Sequence, residues 1–355
     1  MAKYIYQKNR HRTDPASLDD SFGLDVGFLN QVRESLLRDN NLLLHELIDG
    51  LHPADMADLL EHLSQEDCSQ LVLSISDKFN PDILPELDKL VRETVLLAMG
   101  LEKFANLLRY LDSDDAVYIV GLLGLKEREA LFSVLPASDR IQIEGGLRYG
   151  ADTAGRLIQR ELVAVPGYWS VGETIDYLRS AKRLPDEFYV VFIVDPHHHP
   201  IGLVRLDRLL QAKRPISMSD IISDDVEVVL PEMDREDVAY LFRQRDLVTA
   251  PVVDKSGRLI GQITFDDIVD VIEEEVQEDA FKLAGVGADN LYSAVLETVQ
   301  NRFSWLVLNL VTAIAASFVI SRFQAEIEKT VALAVLMPII ASMGGNAGTQ
   351  TLTIA

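Results

Sequence analysis

The chain has 355 residues, 48% of them apolar, enough for two or three domains with cores of their own. Its formal charge of −23 excludes nucleic acid as a partner, because phosphates demand basic surface, and calls for solvation, screening or bound cations. The single cysteine, Cys68, excludes an intramolecular disulfide and suits a reducing cytoplasm.

Residues 1–30 open on MAKYIYQKNRHRTD, which is basic but has no apolar run behind it. They are expected to be a disordered lead-in rather than a signal peptide. From 31 to 150 the chain repeats weakly: LLEHLSQED (59–67), LLRYLDSDD (107–115) and LFSVLPASD (131–139) lie 48 and 24 positions apart. Each is an amphipathic helix end followed by Ser, Asp or Pro and an acidic cap for the next helix. The pattern predicts an all-α superhelical array, used for packing and docking rather than chemistry.

A cleaner repeat follows within 151–275. VDPHHHPIGLVRLDRLL (194–210) aligns without gaps on VDKSGRLIGQITFDDIV (253–269), 59 positions on. Each copy reads as strand, turn, strand, helix, with Asp195 or Asp254 closing the first strand and Gly202 or Gly261 opening the second. WSVGETIDYLRSAK and EMDREDVAYLFRQRD supply the helix before each copy, so the pair is a tandem α/β repeat, about 161–217 and 218–275. The triplet His197, His198 and His199 falls in the first copy's turn, where three consecutive imidazoles cannot face one ion, and a solvated turn is expected.

FDDIVDVIEEEVQEDAFKL places Asp267, Asp270, Glu274 and Glu278 at helical spacings, with Glu275 and Asp279 beside them. Like charges so spaced repel by a few tenths of a kcal/mol per pair. Glu232–Asp237 and then Asp246 form a second acidic cluster. A solvated face accounts for such residues, and so does a loose carboxylate-lined Mg²⁺ interface, since Mg²⁺ prefers hard oxygens and keeps several waters.

After a connecting region at 276–300, the 301–355 segment changes character. Residues 303–320, FSWLVLNLVTAIAASFVI, are uncharged and make a helix roughly 27 Å long at ~1.5 Å per residue, matching a bilayer core. A second uncharged run covers 331–355, and the two predict a transmembrane hairpin. Yet the second run carries MGGNAGTQ. Asn346, Thr349, Gln350 and Thr353 recur at three- and four-residue steps with Gly345 beside them, which fits a water-lined path better than a lipid face.

The Val-Asp, Ile-Gly and Thr-x-x-Asp elements of the 59-residue repeat resemble a CBS pair. With an acidic helical domain before it and Pro338 plus GGNAGTQ after it, the chain resembles the MgtE family of magnesium transporters and channels. The resemblance implies a homodimer in the inner or plasma membrane, multi-pass in membrane lipid, with its N-terminal domains cytoplasmic. It also implies gating by cytoplasmic Mg²⁺ at Asp234, Glu236, Asp246, Asp267, Asp270, Glu275, Glu278 and Asp279. Asp114 and Asp115 are the choice for the helical domain's ligands; the further acid implied about one turn later is Tyr118 or Ile119 here. The ion path is carried onto Gly345, Asn346, Thr349 and Thr353, and the polar stripe adds Gln350. Five membrane helices are implied, with a Mg²⁺-binding acid in a later one, so this chain reads as truncated inside the second.

Adenine nucleotides are the usual CBS ligand, and Thr264 and Asp267 fit the Thr-x-x-Asp pattern that holds a ribose. Arg205 and Arg208 stand at the equivalent places of the first copy, and Leu247 offers no stacking ring beside Asp246. No P-loop, dinucleotide fingerprint, nucleophile elbow or Cys-His cluster points to an enzyme. The rivals are a Co²⁺ or other divalent-cation transporter, a CBS-regulated anion channel and a membrane-tethered nucleotide sensor. The first normally carries its CBS pair after the membrane domain, and the second needs positive charge that the membrane segment lacks.

Overall fold

A computed structural model describes residues 25–354, except 39, 183, 186, 224, 225 and 285–294. Ten helices fill the first part: α1 (Val26–Leu37), α2 (Asn41–Ile48), α3 (Pro53–His62), α4 (Gln65–Ile75), α5 (Ile83–Glu86), α6 (Lys89–Met99), α7 (Leu101–Leu108), α8 (Ser113–Leu122), α9 (Leu125–Val134) and α10 (Ala137–Leu147). The three repeated stretches fall on the α3/α4, α7/α8 and α9/α10 junctions. Apolar residues at three- and four-residue steps, such as Leu59, Leu60 and Leu63 or Val117 and Val120, meet in one continuous core.

Two other junctions, α5/α6 and α8/α9, are tied by a device that hydropathy does not reveal. Arg92 donates from Nε to Leu84 O at 3.1 Å and from Nη2 to Pro85 O and Leu87 O. Arg128 does the same with Val120 O, Gly121 O and Leu123 O at 3.1, 2.8 and 3.2 Å. Each guanidinium thus collects the orphan carbonyls that end the preceding helix, where positive charge also suits the dipole.

The α/β pair follows: β1 (Ala164–Pro166), α11 (Val171–Ser180), β2 (Val190–Val194), β3 (Pro200–Arg205), α12 (Leu206–Gln211), α13 (Arg235–Arg245), β4 (Thr249–Val253), β5 (Leu259–Thr264) and α14 (Phe265–Ala284). β1 runs parallel to β2, and β2 antiparallel to β3; β4 and β5 repeat the antiparallel pair, and Val229 bridges Val252 where β1 would stand. The 59-residue repeat holds at atomic detail. Bulges fall at Ile193/Val194 and Val252/Val253. Asp195 Oδ1 accepts from the amides of His197 and His199, and Asp254 Oδ1 from those of Ser256 and Arg258. The left-handed residue of the turn is His198 in one copy and Gly257 in the other.

The repeat's glycines have a packing reason. The segment entering each copy crosses to pair with the other: Gln159 bridges Gln262 of β5, and Ser223 bridges Leu203 of β3. A Cβ on Gly261 would lie 2.7 Å from Gln159 O, and one on Gly202 would lie 2.8 Å from Ile222 Cβ. Only glycine admits the crossing chain.

The chain forms two bodies, one ending at Ile268 and the other starting at Val269. The second holds the rest of α14, then α15 (Val295–Arg322), α16 (Gln324–Lys329) and α17 (Val331–Ile354), with Pro338 inside the last. Among the described residues, no helix is long and apolar enough to cross a membrane. The expected spans fall on α15 and α17 and include Ser304, Trp305 and 331–334, whose side chains lie outside the described residues.

Candidate metal centre

Helix α8 is preceded by Asp112 and opens on Ser113, Asp114 and Asp115, acids at the end of a helix that favours negative charge. Asp112 stands at the N-cap but makes no capping bond; its Oδ2 accepts instead from Gln159 Nε2 at 2.7 Å. The cap arrives from the segment leading into the α/β pair. Glu161 Oε2 accepts from Ser113 N at 3.1 Å and from Ser113 Oγ at 2.9 Å, while Ser113 Oγ accepts from Arg160 N at 2.8 Å. Buried Gln262 bolts that segment to β5, donating to Gln159 Oε1 and Glu161 O at 2.8 Å each.

This docking brings Asp114 and Asp115 to Asp267, in the first turn of α14. Asp114 is 7% exposed, and burial, followed by the charges of Asp267 and Asp115, pushes its carboxyl well above the usual range. Burial, then Asp267, pushes Asp115 up to about 7; Asp112, Asp82 and Glu86 add to the effect. Asp267 is pushed up to about 6 by burial, against the lowering hydrogen bond that Thr264 Oγ1 donates at 2.5 Å. The side-chain hydrogen bond between Asp114 and Asp267 raises the first carboxyl and lowers the second. No group donates to buried Asp114 Oδ1. Among the described residues, no lysine or arginine pairs with any of the three.

Three carboxylates packed together, one buried and two half-buried, with no basic partner among the described residues, favour uptake of a proton or a cation. Among the described residues, no group of three or more His, Cys, Asp and Glu side chains is arranged to hold a metal ion directly. A hydrated divalent ion held through its own waters, as Mg²⁺ allows, is one species that could supply that positive charge.

The other expected ligands are not gathered here. Asp234 caps α13, accepting from Glu236 N at 2.9 Å, and Asp246 ends the same helix in a left-handed conformation. Twelve steps of ~1.5 Å place Asp234 and Asp246 about 18 Å apart. Asp270, Glu275, Glu278 and Asp279 continue along α14, and Glu278 pairs with Lys282 at 2.8 Å. One turn after Asp114 stands Tyr118, whose ring lies under the Arg92 guanidinium at 5.6 Å. That position serves the arginine clamp. Sequence reasoning missed Asp82, Glu86, Asp112, Glu161 and Asp266 as neighbours of the cluster; the acid density of LDSDD was the available signal.

Of the histidines, His197 and His198 are exposed, while His199 joins Asp195 Oδ2 at 3.0 Å and Ser256 O at 3.1 Å, fastening one turn to the other. Thr264 and Asp267 are bonded to each other inside the carboxylate cluster. A separate cavity of about 480 Å³ is lined by Tyr189, Arg205, Arg245, Asp246, Leu247 and Thr249, among others. In α17, Gly345, Asn346, Thr349 and Gln350 share the helix with Thr353, whose side chain lies outside the described residues; Thr349 Oγ1 donates to Gly345 O at 3.1 Å.

The chain is similar to known proteins over most of its length. The family model described as the MgtE intracellular N domain matches residues 51–152, and that of the CBS domain matches 218–274. The magnesium transporter MgtE of Bacillus subtilis is 27% identical over 321 residues, covering 90% of this chain and 71% of that protein. That of Thermus thermophilus is 28% identical over 338 residues, covering 91% and 73%. The crystal structure of the soluble part of a magnesium transporter superposes with a TM-score of 0.63 at 25% identity, over 70% of this chain and 98% of that one. The cytosolic domain of the Mg²⁺ channel MgtE in complex with ATP gives 0.63 at 26%, over 68% and 99%.

Proposed function

The chain belongs to the MgtE family of magnesium transporters, and from that premise we propose that cytoplasmic Mg²⁺ gates its Mg²⁺ transport by bridging the helical domain to the CBS pair. The observation that carries the reading is the cluster of buried Asp114 with half-buried Asp115 and Asp267, set between two domains and without a basic partner among the described residues. When Mg²⁺ is plentiful, a hydrated ion neutralises the three carboxylates and holds the domains closed. When Mg²⁺ falls, their repulsion separates α8 from α14. The ion can bias the equilibrium only by its differential affinity for the closed state, which alone assembles carboxylates from both domains. Asp234, Glu236, Asp246, Asp270, Glu275, Glu278 and Asp279 hold further ions or set the local field along α13 and α14.

The protein acts as a homodimer in the inner or plasma membrane, with the body ending at Ile268 in the cytoplasm. Support for the membrane comes from the uncharged 303–320 run and from side chains such as Leu306, Val311, Ile314 and Phe318 on α15, more than half exposed and in need of an apolar environment. Gly345, Asn346, Thr349, Gln350 and Thr353 line the ion path from α17. In proteoliposomes, Mg²⁺ influx is expected to fall as Mg²⁺ rises on the cytoplasmic side, and Asp267→Asn to blunt that inhibition. Influx indifferent to cytoplasmic-side Mg²⁺ would refute the gate.

A second reading is favoured by the cavity beside β3: it binds ATP. Arg205 and Arg245, here paired with Asp207 and Glu227 at 3.0 and 3.1 Å, would exchange those partners for phosphate, and Tyr189 offers a ring for the base, so the site differs from the Thr264 and Asp267 pair that the sequence suggests. ATP should raise the melting temperature of the wild type but not that of Arg205→Ala; equal shifts would dismiss this site.

A further inference from the structure

We infer that Ser113 and Glu161 are positioning residues for the gate, setting the distance at which the helical domain's carboxylates meet Asp267; this rests on the gating reading above. The cap of α8 is out of place. A helix preceded by Asp112 has its own capping side chain, yet Asp112 is turned onto Gln159, and Glu161 from the following segment takes both the N–H and the hydroxyl of Ser113. Ser113 directly precedes Asp114. Glu161 lies one residue from Arg160, whose amide bonds to Ser113 Oγ, and its carbonyl accepts from Gln262 of β5.

A continuous run of hydrogen bonds therefore leads from the first turn of α8, through Glu161 and Gln262, to the strand that ends at Thr264. Thr264 in turn holds Asp267 Oδ2. This run of hydrogen bonds ties the two halves of the carboxylate cluster to each other. Ser113 and Glu161 touch no transported ion in this scheme; they act through Asp114 and Asp115. Groups that orient ligands in this way typically change metal affinity by about 10–100-fold when removed.

The test is hydrogen exchange on the full chain, read at peptides covering 112–117 and 158–162 across a Mg²⁺ titration, for wild type, Ser113→Ala, Ser113→Thr and Glu161→Gln. Ser113→Ala and Glu161→Gln should raise the Mg²⁺ midpoint of protection about tenfold, while Ser113→Thr, which keeps the hydroxyl, should stay near wild type. A lowered melting temperature with an unchanged midpoint would mark the pair as merely structural and overturn the inference. A wild type that shows a Mg²⁺ response shared unchanged by every variant overturns the inference alone. A wild type with no Mg²⁺ response overturns the gating reading, and this inference with it.

Discussion

At the scale of the residue, the governing fact is where charge goes when three carboxyls are packed together. Asp115 titrates near 7 in the folded chain against an ordinary value of 3.8, so the folded state binds more protons across that interval than the unfolded one. The sign follows: in cation-free buffer, stability should fall as pH rises from about 4 to about 7, and thermal melts at a pH series would read this directly. Saturating Mg²⁺ should flatten the slope by doing the proton's work. Asp267→Asn removes one charge while keeping an acceptor for Thr264. It should raise the cation-free melting temperature by about 2–4 °C, the shift of ~1 kcal/mol in a unit of this size, and remove most of the Mg²⁺-induced rise. A variant that melts lower without Mg²⁺ would contradict the repulsion.

At the scale of the element, the α/β repeat was legible in the sequence because its period carries turn chemistry as well as hydropathy. Val-Asp, the turn and Ile-Gly recur because Asp195 and Asp254 each accept two turn amides and because Gly202 and Gly261 admit a crossing chain. Gly261→Ala should destabilise the chain by roughly 2 kcal/mol, since its Cβ meets a backbone oxygen that cannot yield, whereas most surface Gly→Ala changes do not. His198 occupies the left-handed position that the second copy gives to Gly257. His198→Gly should stabilise by about 0.5–1 kcal/mol, the relief of a strained backbone less the extra freedom of the unfolded glycine. Chemical denaturation of both variants checks the pair of signs. The clamps of Arg92 and Arg128 were not legible, because a charged residue on a helix reads as surface until its carbonyl partners are seen. The same holds for Glu161, whose partner Ser113 lies 48 positions away.

At the scale of the whole molecule, the candidate site was half legible. Asp114, Asp115 and Asp267 were named from the sequence, through family resemblance and acid density, and the structure brings those three together. The remaining seven expected ligands are carried on α13 with its two caps and on α14. What the sequence could not express is the register between two domains, which depends on side chains that neither hydropathy nor motif selects. In the proposed gate, Mg²⁺ closes the helical domain onto the CBS pair through those carboxylates. Limited proteolysis with and without millimolar Mg²⁺ tests it most directly. Mg²⁺ should protect the segment between α10 and β1, with protection lost in Asp267→Asn; equal digestion of the wild type in both conditions would contradict the claim.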